Sequence, residues 1–195
     1  MNKGERTRQH ILDAGFKHSS KYGLADITIG TLSKLCNLSR TGVISHFQDK
    51  ESMQMAILEY IEQQFMQQVL IPTRQDNPVV RIEALMLAWT DWAGRVMGES
   101  GMGCPLIKAA VEYQNRPDSP VRQFALAQQS RLLGYLQRQV AKAVEQQKLP
   151  TDINQVGLAY ELYSLYLGHL LLRDSLGKEQ AALLYRQSLK KLLRI

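Results

Sequence analysis

The sequence predicts an all-α protein of nine helices: three short ones, a long connector, then a helical body. Three observations carry that expectation. Apolar residues recur with the 3.6-residue period along almost the whole chain, and no segment alternates convincingly as a strand would. Capping and breaking residues, among them Thr28, Ser39, Asp49, Pro72 and Pro150, fall between the periodic runs. The 195 residues are 45% apolar, enough for a core and too much for a disordered chain, and the length suits one compact unit or two small ones.

The first helix is expected over 5–22, with Ile11, Leu12, Gly15 and Phe16 on one face and Gly23 as its stop. Thr28 caps a short second helix carrying Ile29, Leu32 and Leu35. Asn37 suits a left-handed turn position, and Ser39 caps a third short helix reaching about residue 46. Asp49 starts a long helix to about Leu70, with Met53, Ala56, Ile57, Tyr60, Ile61, Phe65 and Val69 as its stripe. Beyond the Pro72–Pro78 linker, a fifth helix turns Ile82, Leu85, Met86, Trp89, Trp92, Ala93 and Val96 inward. A Gly-rich break over 98–103 precedes a short helix opened by Pro105, and residues 115–120 make a firm turn. Long helices follow over about 121–147, 153–173 and 178–193.

Composition excludes several classes. No run of about eighteen apolar residues exists, so no bilayer span is expected. The opening residues lead into an amphipathic segment without a signal-peptide core, which predicts a cytoplasmic protein. Cys36 and Cys104 form no Cys-x-x-Cys pair and there is no ligand-like His cluster, so neither a disulfide framework nor a metal site is expected, and no cofactor is implied. Enzyme signatures are missing: there is no His-Glu-x-x-His, Gly-x-Ser-x-Gly or Walker-type loop, and the Gly98-x-x-Gly101-x-Gly103 run follows a helix rather than a strand. Charge is uneven. Residues 1–50 hold eight Lys/Arg against four Asp/Glu, and residues 186–195 add four basic residues with no acid. Positive charge concentrated at one end suggests a polyanion partner there, although a solubilising surface would have the same composition.

The stretch from Thr28 to Phe47 is the most informative. Two short helices joined by Cys36-Asn37-Leu38-Ser39 have helix-turn-helix proportions. With Ser39 as cap, Leu38 and Val43 occupy the two positions of a hydrophobic staple, and Val43 with Phe47 fixes the buried direction. At about 100° per residue, Thr41 and Ser45 then point away from the core. Gly42 and Ile44 flank that face, and Arg40 and His46 lie at its margins. A small, polar, acid-free surface of this kind fits a major groove, where Thr and Ser meet base edges, Gly42 permits close approach and Arg40 pairs with guanine or phosphate. Thr28 and Ser39 place helix-start amides where phosphates could lie, and Lys50 is a third candidate phosphate contact. Singly, each of these residues also suits a solvated helix face.

The run Thr28-Ile29-Gly30-Thr31-Leu32-Ser33-Lys34-Leu35-Cys36-Asn37-Leu38-Ser39-Arg40-Thr41-Gly42-Val43-Ile44-Ser45-His46-Phe47-Gln48-Asp49-Lys50-Glu51 resembles the DNA-binding signature of the tetracycline-repressor (TetR) family of bacterial transcriptional regulators. The preceding Ile11-Leu12-Asp13-Ala14 and the helix order over the full length resemble it too, as do Gly103-Cys104-Pro105-Leu106, Glu112-Tyr113 and Arg116-Pro117-Asp118-Ser119-Pro120-Val121-Arg122. The chain departs from the family at Ile44, where many members carry an aromatic residue whose hydroxyl meets a phosphate, and at Asn37, where the turn usually has Gly. The resemblance implies a helix-turn-helix DNA-binding domain over 1–48 and a ligand-binding and dimerisation domain over 49–195, with 49–70 as the connecting helix. It implies double-stranded operator DNA, a small-molecule effector and a second copy of the chain as partners. The expected activity is repression relieved by the effector.

The residues lend the dimer independent support, because a helix as apolar all round as 153–173 needs cover on several sides. Tyr160, Tyr163, Leu167 and Leu171 are its candidate interface residues, and Gly168 would allow close approach; burial inside a single chain is the alternative. Phe65, Met86, Trp89, Trp92, Met97, Met102, Cys104, Tyr113 and Phe124 supply aromatic and polarizable surface for an effector, although the same spacing also suits plain core. A helical small-ligand-binding protein that does not bind DNA is the competing function.

Overall fold

Among the described residues, 2–97 and 104–195, the computed structural model has nine α-helices. They are α1 (Lys3–Tyr22), α2 (Ile29–Cys36), α3 (Arg40–Ile44), α4 (Lys50–Phe65), α5 (Pro78–Met97), α6 (Pro105–Glu112), α7 (Pro120–Glu145), α8 (Gln155–Leu176) and α9 (Lys178–Leu193). A π-helical turn, Met66–Leu70, continues α4. Among the described residues there is no strand, and no helix is long and apolar enough to cross a membrane. The chain forms two compact units, one of residues 1–65 with 93–127 and one of residues 66–92 with 128–195.

In the first unit, local chemistry sets the helix starts. Asn2 and Glu5 form a reciprocal capping box, so α1 begins two residues earlier than its apolar period suggests. Ile11, Leu12, Gly15 and Phe16 face inward as expected. Close packing depends on Gly15: a Cβ there would stand 2.5 Å from Ile57 Cδ1 of α4. Phe16 meets Tyr60 edge-on at 6.1 Å. Ser19 and Ser20 are also buried, each hydroxyl donating to the Phe16 carbonyl. Asp49 caps α4, accepting from Ser52 N at 2.8 Å while its own N–H donates to Ser52 Oγ.

Three expectations need correction. The third helix ends at Ile44, and Ser45 and His46 form a turn rather than more helix. The last turn of the connector is π rather than α. On α2 the buried pair is Leu32 and Cys36, while Leu35 is 50% exposed. The last has a simple angular cause. About Leu32, Cys36 and Ile29 lie on one shoulder of the helix and Leu35 on the other, and the core covers only the first.

In the second unit, Ile82, Leu85, Met86, Trp89 and Trp92 of α5 are buried. The Trp89 ring stacks on Tyr166 of α8 at 3.6 Å, and Tyr163 meets it edge-on at 5.7 Å. Tyr185 of α9 donates its hydroxyl to the Met86 carbonyl at 3.0 Å. Helices α8 and α9 pack as an antiparallel pair across Gly177, whose φ of 82° suits the sharp reversal. Leu158, Ala159, Leu162, Tyr166 and Leu170 form the covered side of α8.

Candidate nucleic-acid interface

Helices α2 and α3 are joined by a turn that the sequence specifies residue by residue. Thr28 Oγ1 accepts from Thr31 N at 3.0 Å and starts α2. Asn37 takes the left-handed conformation (φ 53°, ψ 46°) that ends it. Ser39 Oγ then accepts from Gly42 N at 3.0 Å and starts α3. Ser33 Oγ donates to the Leu38 carbonyl at 2.6 Å, tying the turn back onto α2. Val43 is fully buried and Phe47 nearly so, which anchors α3 by one side.

The other side is open. Arg40, Thr41, Ile44 and Ser45 are exposed, and Gly42 and His46 are half-buried. Ser45 Oγ donates to the Gly42 carbonyl at 2.9 Å, which holds the last turn of the element. The Arg40 guanidinium reaches toward the start of α2, where a Cβ on Gly30 would stand 3.7 Å from Nη2. Lys50, the first residue of α4, is exposed as well. Hydrogen bonds from the Ser52 backbone and hydroxyl hold the neighbouring Asp49 carboxyl below its usual range, so an anion sits at the positive end of α4. Seven of the eight candidate DNA contacts, Ser39 to Lys50, thus lie within twelve consecutive residues, and Thr28 stands at the start of the adjoining helix.

Several supporting residues escape a sequence reading because their partners are far along the chain. Exposed Arg8 of α1 lies 5.5 Å above the Phe47 ring, adding a cation beside the turn that follows α3. Buried Gln54 donates from Nε2 to the Leu24 and Ile27 carbonyls at 3.0 and 3.2 Å. Its Oε1 accepts from Tyr113 Oη at 2.9 Å. Burial pushes the Tyr113 phenol above its ordinary range, so it stays a donor. From α6, Lys108 Nζ donates to the Ser20 and Lys21 carbonyls at 2.8 and 3.2 Å, meeting carbonyls at the end of α1 that lack helical partners. Glu112 accepts from Ala25 N at 2.9 Å. Gly23 makes room for that carboxylate: its φ is 95°, and a Cβ there would collide with Glu112 Oε1. The segment leading into Thr28 is therefore held from both α4 and α6.

The candidate effector residues divide between the two units. Phe65, Cys104, Tyr113 and Phe124 belong to the first and Met86, Trp89 and Trp92 to the second; all but half-buried Phe124 are buried. Tyr113 is engaged with Gln54 and lies under the Arg116 guanidinium. Met102 lies outside the described residues, and Met97 is described by its backbone alone. Of the candidate interface residues, Tyr160 is 66% and Leu171 75% exposed, while Tyr163 and Leu167 are half-buried. Among the described residues, no group of three or more His, Cys, Asp or Glu could hold a metal ion.

The family profile described as the tetracyclin repressor-like C-terminal domain matches residues 78–189. The HTH-type transcriptional regulator AcrR of Shigella flexneri is 33% identical over 58 residues, which are 30% of this chain and 27% of that protein, so the alignment spans about a quarter of that relative. A TetR-family transcriptional regulator from Cytophaga hutchinsonii has a similar fold, with a TM-score of 0.83, 19% identity, and coverage of 100% of this chain and 96% of that one. AibR, in a structure with isovaleryl coenzyme A and operator DNA, superposes with a TM-score of 0.70 and 20% identity over 96% of this chain and 98% of its own. A profile covering more than half of the residues, on a fold of this kind, places the chain in the tetracycline-repressor (TetR) family of DNA-binding transcriptional regulators.

Proposed function

We propose that the protein represses transcription as a homodimer that sets two copies of α3 into successive major grooves of a near-palindromic operator and leaves it when a small-molecule effector binds. The observation that carries this reading is the outer side of α3. It is exposed, acid-free and cationic at one margin, on an element anchored from behind by Val43 and Phe47. In the division of labour we assign, residues 1–48 read DNA, with Thr28, Ser39, Arg40, Thr41, Gly42, Ser45, His46 and Lys50 as contacts. Residues 49–195 bind the effector and the second copy, and the protein works in the cytoplasm, where its DNA is, as a regulator rather than an enzyme. AibR, crystallised with both operator DNA and a coenzyme A thioester, supports a two-ligand mode of action. The buried apolar side chains Met86, Trp89 and Trp92 are the part of the second unit we assign to the effector.

Two half-sites are docked together only when their centres lie about one DNA turn, or a multiple, apart. An effector that binds the form with mis-spaced α3 helices more tightly lowers operator affinity tenfold for each 1.4 kcal/mol or so of preference. Footprinting of the purified protein on its genome tests the reading. Protected near-palindromic sites are expected; protection without sequence preference, or none, would leave a helical ligand-binding protein.

Two substitutions separate the roles of the contacts. Arg40→Ala should relax or abolish preference among operators, and an unchanged footprint removes Arg40 from the contact set. Lys50→Ala should weaken binding to all DNA about equally and flatten the salt dependence of log K by about one unit per half-site. A loss confined to one base position would contradict the phosphate role.

A further inference from the structure

One side chain on the reading face has no polar chemistry at all. Ile44 ends α3 and is 46% exposed. At about 100° per residue it lies some 40° from Arg40 and 60° from Thr41, on the side opposite neither of them. Ser45 continues the coil with φ −58° and ψ −15°, so it stands close to the direction of Thr41. The outer side of α3 therefore presents a guanidinium, two hydroxyls and a branched hydrocarbon together.

Isolated exposed apolar side chains are ordinary on protein surfaces. This one is set apart by its neighbours, because whatever Arg40, Thr41 and Ser45 approach, Ile44 approaches too. An isoleucine neither donates nor accepts a hydrogen bond, so it gains nothing from a phosphate. Against the amino group of cytosine, or the O6 and N7 of guanine, it would strip water and return no hydrogen bond. The major groove offers a single apolar feature, the 5-methyl group of thymine.

We propose that Ile44 is a specificity-determining residue that packs against a thymine 5-methyl at one position in each operator half-site. The inference rests on α3 being the reading helix, as argued above. It assigns the apolar part of the recognition chemistry to Ile44 and leaves the hydrogen-bonding part to Arg40, Thr41 and Ser45.

Replacing operator thymines one at a time by deoxyuridine removes the methyl and leaves every hydrogen-bonding group in place. With the full-length protein on an operator found by in vitro selection, one thymine per half-site should show about a fourfold loss of affinity, and about fifteenfold when both are replaced, the worth of roughly one buried methyl group each. With Ile44→Ala the same replacements should change nothing; with Ile44→Val the sensitivity should persist. Because the side chain is exposed, both variants should keep the wild-type circular dichroism and melting temperature. Selective binding with uniform tolerance of deoxyuridine would overturn the assignment of Ile44 and leave α3 as the reading helix. Methyl sensitivity that survives in Ile44→Ala would overturn it as well. If the wild-type protein shows no sequence-selective binding, the reading of α3 itself fails, and this inference with it.

Discussion

Leu171→Arg should give a 22.2 kDa monomer in place of a dimer of twice that mass and lower operator affinity by about 10² to 10⁴. Val156, Tyr160, Tyr163, Leu167 and Leu171 follow one another at intervals of three or four along α8, a continuous stripe about 100° round from the covered side. Val156, Tyr160 and Leu171 are exposed in the single chain, and exposed Leu172 of α8 and Leu184 of α9 line the groove between the two helices beside Gly168. A Cβ at Gly168 would meet nothing within 4 Å, which leaves the groove between the two helices open to a neighbour. An arginine at position 171 costs the isolated chain little, because the leucine there touches mostly water; such surface changes fall within about 0.5 kcal/mol. In a dimer formed through this face the same arginine would sit desolvated near its own symmetry mate, an unpaired buried charge. Fold and assembly can therefore be read separately. Sedimentation should report the loss of mass while the far-ultraviolet circular dichroism stays unchanged. An unaltered mass would move the interface to another face.

Much of this architecture was legible because it is decided within three or four residues. Thr28, Ser39 and Asp49 each bond an amide three positions on, and a hydroxyl or carboxylate ahead of an apolar period is enough to mark that geometry. Asn37 in the left-handed region is legible on the same ground. The direction of α3 follows from Val43 and Phe47, so the exposed positions of Thr41 and Ser45 could be placed on a wheel. What escaped depends on which neighbour arrives. Leu35 and Cys36 are equally fit for burial, and the core happens to cover the shoulder that carries Cys36. Gln54 looks like the polar face of an amphipathic helix, yet its partners lie 27, 30 and 59 residues away. The roles of Lys108 and Glu112 were hidden for the same reason, with partners 87 and 88 positions distant. Nothing in the run Met66–Leu70, which lacks both Gly and Pro, announces a π turn.

Gln54→Leu is expected to destabilise the first unit by about 3 kcal/mol and to weaken operator binding without touching a DNA contact. The wild-type side chain is almost fully buried, and both of its N–H groups and its oxygen are in use. Leucine keeps much of the volume but strands the Ile27 carbonyl and the Tyr113 hydroxyl, at about 1–3 kcal/mol for each such buried group, and leaves the Leu24 carbonyl with only its bond from Ile27 N. For a chain of this size the loss corresponds to a fall of roughly 6–12 °C in melting temperature. Tyr113→Phe is the informative partner, since it removes one of the three bonds and should cost only about 1–2 kcal/mol. The consequence for DNA follows from sequence position. Leu24 to Ile27 lead directly into Thr28, so releasing their carbonyls loosens the start of α2, against which α3 is seated. Denaturant titration of both variants, read beside their operator affinities, separates two possibilities. If Gln54→Leu melts lower and binds weaker while Tyr113→Phe shows a smaller change in the same sense, the buried amide is what holds the helix-turn-helix in register. A Gln54→Leu protein within about 0.5 kcal/mol of wild type would mean that packing around Leu24 and Ile27 holds the segment without the amide, and that Lys108 and Glu112 of α6 are its main polar restraints.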